Sequence, residues 1–344
     1  MNASTDNWLS ELLRQIPQGR ITVFGDFCLD GYWLVDSDES ELSVETGRPV
    51  RRVRRQEYSL GGAGNVIANL ADLGVGHLRA VGLIGNDLFG RQMLDLLEKK
   101  HANTEGMLAC QDDWQTFVYA KPHIDDTEQN RIDFGAFICI SSDSIDQMER
   151  ELTRAAEASD VVILNQQIPA GLSTEPMIQR INQVIGAHRE CTFIVDSRHR
   201  GGLYKGAILK INGYEASILC GQERSIDDRV SFDDARAFAK QLQADSGKPV
   251  FVTRGASGVV VAADNGVDSV PGIQIVERTD TVGAGDTAVA SLAAALAVRA
   301  DGITAARLTN IAASVTVRKI QTTGTATPDE ILAGLPEGRV PGAP

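Results

Sequence analysis

The run Asp280, Thr281, Val282, Gly283, Ala284, Gly285, Asp286, Thr287 leads directly into AVASLAAALAVR, a small-residue stretch that reads as a helix. A Gly-x-Gly turn at a helix start leaves backbone N–H groups without intrahelical partners, and the positive end of the helix dipole attracts an anion there. An aspartate at that mouth repels an anion and is no ligand for it. Asp286 instead suits a general base, taking the proton from a hydroxyl that attacks phosphorus.

Other motifs supply partners for this chemistry, each with a plainer reading beside it. Gly61, Gly62, Ala63, Gly64, Asn65 opens the stretch VIANLADLG. It is either a tight strand-to-helix turn capped by Asn65, or a turn that brings backbone and an amide against a polyol. Gly25, Asp26 and Asp30 place carboxylates at and beyond a strand's C-terminal edge, where open α/β sheets bind ligands; Asp30 suits sugar hydroxyls and Asp26 the turn. Asn212, Gly213, Tyr214, Glu215 begins a helix with an amide and a carboxylate one turn apart. That spacing serves the water shell of a magnesium ion, a capping box, or both. The turn from Thr253 through Gly255 to Gly258 is placed to wrap a nucleotide, although many hairpin loops look alike.

Several classes are excluded. No G-x-x-x-x-G-K-[ST] occurs, and the first strand lacks the G-x-G-x-x-G of a dinucleotide fold. Five cysteines are scattered singly and five histidines lack zinc-site spacing, which reads as reduced cytoplasmic thiols and no zinc centre. A net charge of −13 disfavours nucleic acid. The basic run from Arg48 to Arg55 reads as a solvated strand balanced by the upstream acidic stretch DSDESE, with recognition of a substrate phosphate as its other use. No apolar run is long enough for a membrane span, and Trp8, Leu9, Leu12, Leu13 and Ile16 recur as an amphipathic helix rather than a leader.

The elements that must position these residues alternate short β-branched runs with longer helical patterns, the signature of a mostly parallel sheet flanked by helices. Strands are predicted at 21–25, 78–85, 161–165, 192–196, 207–212 and 249–255. Helices are predicted near 64–73, 87–100, 144–158, 174–188, 231–245, 286–299 and 303–319. Two segments, 32–60 and 114–140, read as strands without helices, and are expected to pair as a small antiparallel lid that excludes water from one domain spanning 1–344.

Together, GGAGN, GLIGNDLFG, NGYE and DTVGAGDT, in this order, resemble the ribokinase (phosphofructokinase-B type) family of carbohydrate kinases, from Ile21 to about Leu335. The resemblance implies a ribokinase-like doubly wound fold and an ATP-dependent sugar kinase with Asp286 as base and Gly283, Ala284 and Gly285 as anion hole. It also implies Asp30, Gly61, Gly62 and Asn65 on the sugar, Asn212 and Glu215 near magnesium and phosphate, and Thr253, Gly255 and Gly258 near the nucleotide. Asp280 is similar to the residue that contributes to a monovalent-cation site in several members, with potassium as the candidate ion. GDFCLDGYW, LSVETGRPV and NRIDFGAF are most similar to the kinases of D-glycero-D-manno-heptose 7-phosphate. Two departures fall in the lid: the proline-rich S-P-E-A-P-V-P motif appears as Ser43 to Pro49, and Phe117 and Tyr119 replace basic residues expected after Thr116. The expectation is a cytoplasmic kinase without a cytidylyltransferase segment in these 344 residues, with a homodimer through the lid. The alternatives are a kinase for another sugar or nucleoside of the family and a catalytically idle sugar-binding protein on the same fold, with a nicotinamide-dependent oxidoreductase third.

Overall fold

The computed structural model describes residues 7–37, 41–110, 114–125, 127–136, 139–169, 171–222, 224–225, 228–320 and 324–334. Parts of DSDESE and NRIDFGAF, and both ends of the proposed 1–344 domain, lie outside them. Helix α1 (Asn7–Gln15) buries Leu9, Leu12 and Leu13, as its spacing predicts, and β1 (Arg20–Gly25) follows. Next come β2 (Phe27–Val35), β3 (Val53–Gly62), α2 (Ala63–Asp72), β4 (His77–Gly85), α3 (Leu88–Lys99) and β5 (Asn103–Cys110). The chain continues through β6 (Phe117–Ile124), β7 (Thr127–Glu128), β8 (Ile132–Phe134), α4 (Ser142–Ala158), β9 (Val161–Gln166), α5 (Glu175–Ala187) and β10 (Thr192–Ser197). After β11 (Ile208–Asn212), α6 (Gly213–Leu219), α7 (Phe232–Ser246) and β12 (Val250–Thr253), the hairpin β13 (Val259–Ala263) and β14 (Gly266–Val270) precedes α8 (Ala284–Ala297), α9 (Gly302–Thr316) and α10 (Pro328–Ala333).

The main sheet runs β14-β13-β12-β11-β10-β9-β1-β4-β5, parallel except for the β12–β13 and β13–β14 pairs. Its strands read as unbroken apolar runs because helices cover both faces, with one core cluster on each side. The strand order reverses at β1, which lies between β9 and β4, so a crevice opens beyond their C-terminal ends. Residue type changes there: β9 is apolar through Leu164 and ends in the buried Asn165 and Gln166.

A second sheet, β3-β2-β6-β7 with β8 also on β6, stands beside that edge. It is mixed, not antiparallel as expected, because β2 and β6 pair in parallel. The reason is topological. Each leaves the main sheet after a parallel strand, β1 or β5, and so departs in the same direction. The lid also begins earlier than expected, at Phe27. The basic run is neutralised locally: Arg54 pairs with Asp36 at 2.9 Å, Arg52 with Glu41, and Arg55 with Glu57.

Asp26 ties the lid to the sheet. Its buried carboxylate accepts backbone N–H bonds from Gln167 (3.0 Å), Ile168 (3.0 Å) and Leu172 (2.7 Å), and its carbonyl accepts from Ala63 at the start of α2. Gly62 completes the turn at φ 53°, where an added Cβ would lie 2.5 Å from the Asp26 carbonyl oxygen. Asp26→Ala strands three buried donors at about 1–3 kcal/mol each, so urea unfolding is expected to show a loss of about 3 kcal/mol or more. A loss under about 1 kcal/mol would mean that the 167–172 loop is held by other contacts.

Candidate active site

Helix α8 starts under an N-cap glycine, Gly283, at φ 78°. The Ala284 amide is already committed to the Thr281 carbonyl at 3.2 Å, so the free donors of the turn are the first-turn amides of Gly285 and Asp286. Asp280 builds the approach to this turn: its carboxylate accepts from Val282 N–H at 3.0 Å, and its own N–H donates to the Val317 carbonyl after α9.

Asp286 sits in the first turn with a partly open face and a carboxyl hemmed in by protein. Burial, together with the like charge of Asp196, pushes it up to about 7; a hydrogen bond from Asn65 and the charges of Lys210 and Arg198 pull the other way. Asn65 Nδ2 donates to Asp286 Oδ2 at 2.6 Å. Beneath the helix, Lys210 Nζ and Asp196 Oδ1 form a buried ion pair at 2.9 Å. Burial lowers the Lys210 ammonium, but Asp196, Glu215 and Asp286 outweigh it and hold the group above its ordinary value. Lys210 therefore stays a fixed cation under the start of α8, and a Cβ added at Gly285 would lie 3.5 Å from its Nζ.

The residues expected on the sugar meet on the lid side. Asp30 on β2 pairs with Lys121 Nζ of β6 at 2.7 Å, and that ammonium lies 5.0 Å from the Tyr32 ring centroid. Gly61 faces this carboxylate so closely that an added Cβ would be 3.0 Å from Asp30 Oδ2. Asn65 stands between the two halves, since its amide already serves Asp286.

The nucleotide candidates Thr253, Gly255 and Gly258 line a cavity of about 260 Å³ that runs to Thr281, Ala284 and Gly285, with Asn310 of α9 on its wall. Asn212 and Glu215 form a reciprocal capping box: Asn212 Oδ1 accepts from Glu215 N–H and Glu215 Oε2 from Asn212 N–H, both at 2.8 Å. Glu215 keeps its second oxygen. Burial raises its carboxyl and Lys210 only partly offsets this. Among the described residues no cluster of three or more His, Cys, Asp and Glu forms a metal cage.

Several residues of the site lie outside the motifs. A charge inside the apolar strand AILKIN is a sequence signal for Lys210, and an aspartate at a strand's C-terminal end is one for Asp196. Lys121 and Arg131 place basic residues in the lid after all, the first two positions beyond Tyr119 and the second stacked 4.3 Å from the Tyr119 ring. Arg198 follows β10, in a turn held by Gln166, whose side-chain oxygen accepts from Ser197 Oγ and His199 N–H.

The sequence matches the model for pfkB family carbohydrate kinases over residues 20–330. The chain belongs to that family. It is similar to the bifunctional protein HldE of Caulobacter sp. (strain K31), at 32% identity covering 97% of this chain and 66% of the relative. The HldE protein of Bradyrhizobium diazoefficiens is also 32% identical, covering 91% of this chain and 62% of the relative. The chain thus spans slightly under two thirds of the length of these relatives. The fold is that of phosphofructokinase-2 from Escherichia coli in complex with potassium (TM-score 0.72, 20% identity, covering 92% of this chain and 97% of that one). Ribokinase from Thermotoga maritima superposes with a TM-score of 0.69 at 18% identity, covering 92% and 99%. Among the described residues no helix of the kinase is long and apolar enough to cross a membrane.

The strained ionisation of Asp286 has a measurable cost. Its folded value of about 7 exceeds the ordinary 3.8, so between these values the folded kinase binds a proton that the unfolded chain has released, and stability falls as pH rises. Asp286→Asn removes that penalty. Thermal unfolding without ligands is expected to show no gain near pH 4 and a gain of about 2–4 kcal/mol above pH 7. A gain independent of pH would contradict the raised ionisation.

Proposed function

We propose that the kinase transfers the γ-phosphoryl group of ATP to a hydroxyl of a sugar phosphate, with Asp286 as general base. The observation that carries this reading is the placement of a carboxyl in the first turn of α8, next to Gly285, which lines the same cavity as Thr253, Gly255 and Gly258. Asp286 takes the acceptor proton, the acceptor oxygen bonds to the γ-phosphorus, and the bond to the β,γ-bridging oxygen breaks to release ADP. Lys210 and the amides of Gly285 and Asp286 offset the charge that develops on the transferred group, with Gly283 giving the turn its shape.

The free oxygen of Glu215, fixed beside Asn212, suits magnesium, which takes one or two carboxylates and relies on water and phosphate for the rest. When bound, the ion neutralises phosphate charge. The Asp280 loop is the proposed monovalent-cation position, and turnover in potassium against sodium salts checks it.

Asp30, Gly61 and Gly62 form the sugar face, and Lys121 is the lid cation placed to meet a phosphate carried by the acceptor. The HldE relatives and the likeness to heptose kinases support D-glycero-D-manno-heptose 7-phosphate as that acceptor. ADP release is expected with this compound and not with the unphosphorylated heptose, and to fall at least about 100-fold in Asp286→Asn. Lys121→Ala is expected to raise KM for the sugar phosphate about tenfold or more. Equal turnover of phosphorylated and free sugars would refute the phosphate-reading role, and near-normal turnover by Asp286→Asn would refute the base.

A further inference from the structure

We propose that Asn69 and Thr287 are positioning residues that fix the hydrogen-bond polarity of Asn65 and so hold Asp286 Oδ2 as an acceptor, leaving Oδ1 to take the substrate proton. This inference rests on the reading of Asp286 as the base. Neither residue lines the nucleotide cavity; Thr287 closes the DTVGAGDT run without an assigned role, and Asn69 lies outside every motif.

The geometry fixes the direction of every bond. Asn69 Nδ2 lies 2.9 Å from the backbone carbonyl of Asn65, an atom that only accepts, so the Asn69 amide must turn its nitrogen toward Asn65. Its Oδ1 then faces α8, where Thr287 Oγ1 donates to it at 2.7 Å. The same Asn69 nitrogen lies 3.3 Å from Asn65 Oδ1, which orients the Asn65 amide with Nδ2 toward Asp286 Oδ2, 2.6 Å away. The hydroxyl of Thr287 thus completes a closed loop from α8 through α2 and back to the base one residue earlier on α8. Asn65, Asn69 and Thr287 are each at most 3% exposed, so bulk water does not replace a missing member.

A donor aimed at Oδ2 favours the carboxylate over the acid and opposes the upward push of burial. The charged and titratable groups facing Asp286 from the surrounding elements are Asp196 on β10, Lys210 on β11, Arg198 in the turn after β10 and Cys28 on β2. All four are untouched by substitutions at 69 and 287. A change in Asp286 ionisation in such variants therefore reports the loop.

The test is a carbon-13 NMR titration of the aspartate carboxyls in the ligand-free kinase, with the Asp286 resonance assigned by its loss in Asp286→Asn. Thr287→Val deletes the hydroxyl at constant shape. The double variant Thr287→Val with Asn69→Leu removes both partners and leaves Asn65 Oδ1 without its donor, so its fold is checked by circular dichroism and thermal unfolding before titration. Each is expected to raise the Asp286 midpoint by about 0.5–1 pH unit, while Thr287→Ser keeps the wild-type value. An unchanged midpoint in the folded double variant would overturn the proposal. Should Asp286→Asn abolish no titration near pH 7, the poised-base reading fails and this inference with it; loss of that signal with an unshifted double variant overturns the loop alone.

Discussion

The hydrogen bond from Asn65 on α2 to Asp286 on α8, backed by that from Thr287 to Asn69 between the same helices, ties the lid side of the molecule to the cavity side. Asn65 lies in the helix after lid strand β3, on the proposed sugar side, and Asp286 in the helix whose N-terminus is the proposed phosphate side. Phosphoryl transfer requires an acceptor oxygen and a phosphorus atom to meet in line, so these elements must be fixed relative to each other before either ligand arrives. The bond is short, partly buried and bound into a wider network, which gives the contact one geometry.

The rest of the fold serves that registration. Asp26 receives three loop amides on its carboxylate and the first amide of α2 on its carbonyl, so the sheet edge, the 167–172 loop and the sugar-side helix share one anchor. On the other side, the Lys210–Asp196 pair puts a fixed positive charge beneath α8. Buried ion pairs of this kind seldom add net stability. Here the pair sets a field: Lys210 favours ionised Asp286 while Asp196 opposes it, and burial tips the balance toward neutrality. Burial thus holds Asp286, the proposed base, above the ordinary carboxylate range at a cost in stability.

Much of this was legible in the sequence because it rests on periodicity and punctuation. Apolar runs alternating with helical patterns marked six strands of the main sheet, and the glycines at 61–62 and 283–285 marked the two helix starts that matter. What escaped notice had physical reasons. Strands β13 and β14 have no counterpart among the predicted strands, although Asn265-Gly266 between VVVAA and VDSV is a hairpin signal. Parallel pairing in the lid was hidden because strand direction depends on which main-sheet strand precedes each insertion. Asn69 lies four residues after Asn65 and reads locally as one polar position on a helix; its meaning comes from Thr287, 218 residues away in sequence. The capping box at Asn212 and Glu215 was visible as such, and the structure adds that one Glu215 oxygen stays free.

The most direct test of the account is a crystal structure with ADP, magnesium, aluminium fluoride and D-glycero-D-manno-heptose 7-phosphate. The account predicts the acceptor oxygen within about 3 Å of Asp286 Oδ1, Asn65 still on Oδ2, and fluoride against the amides of Gly285 and Asp286. An acceptor oxygen resting instead on Asp196 or Asp30, with Asp286 turned away from the fluoride, would contradict it.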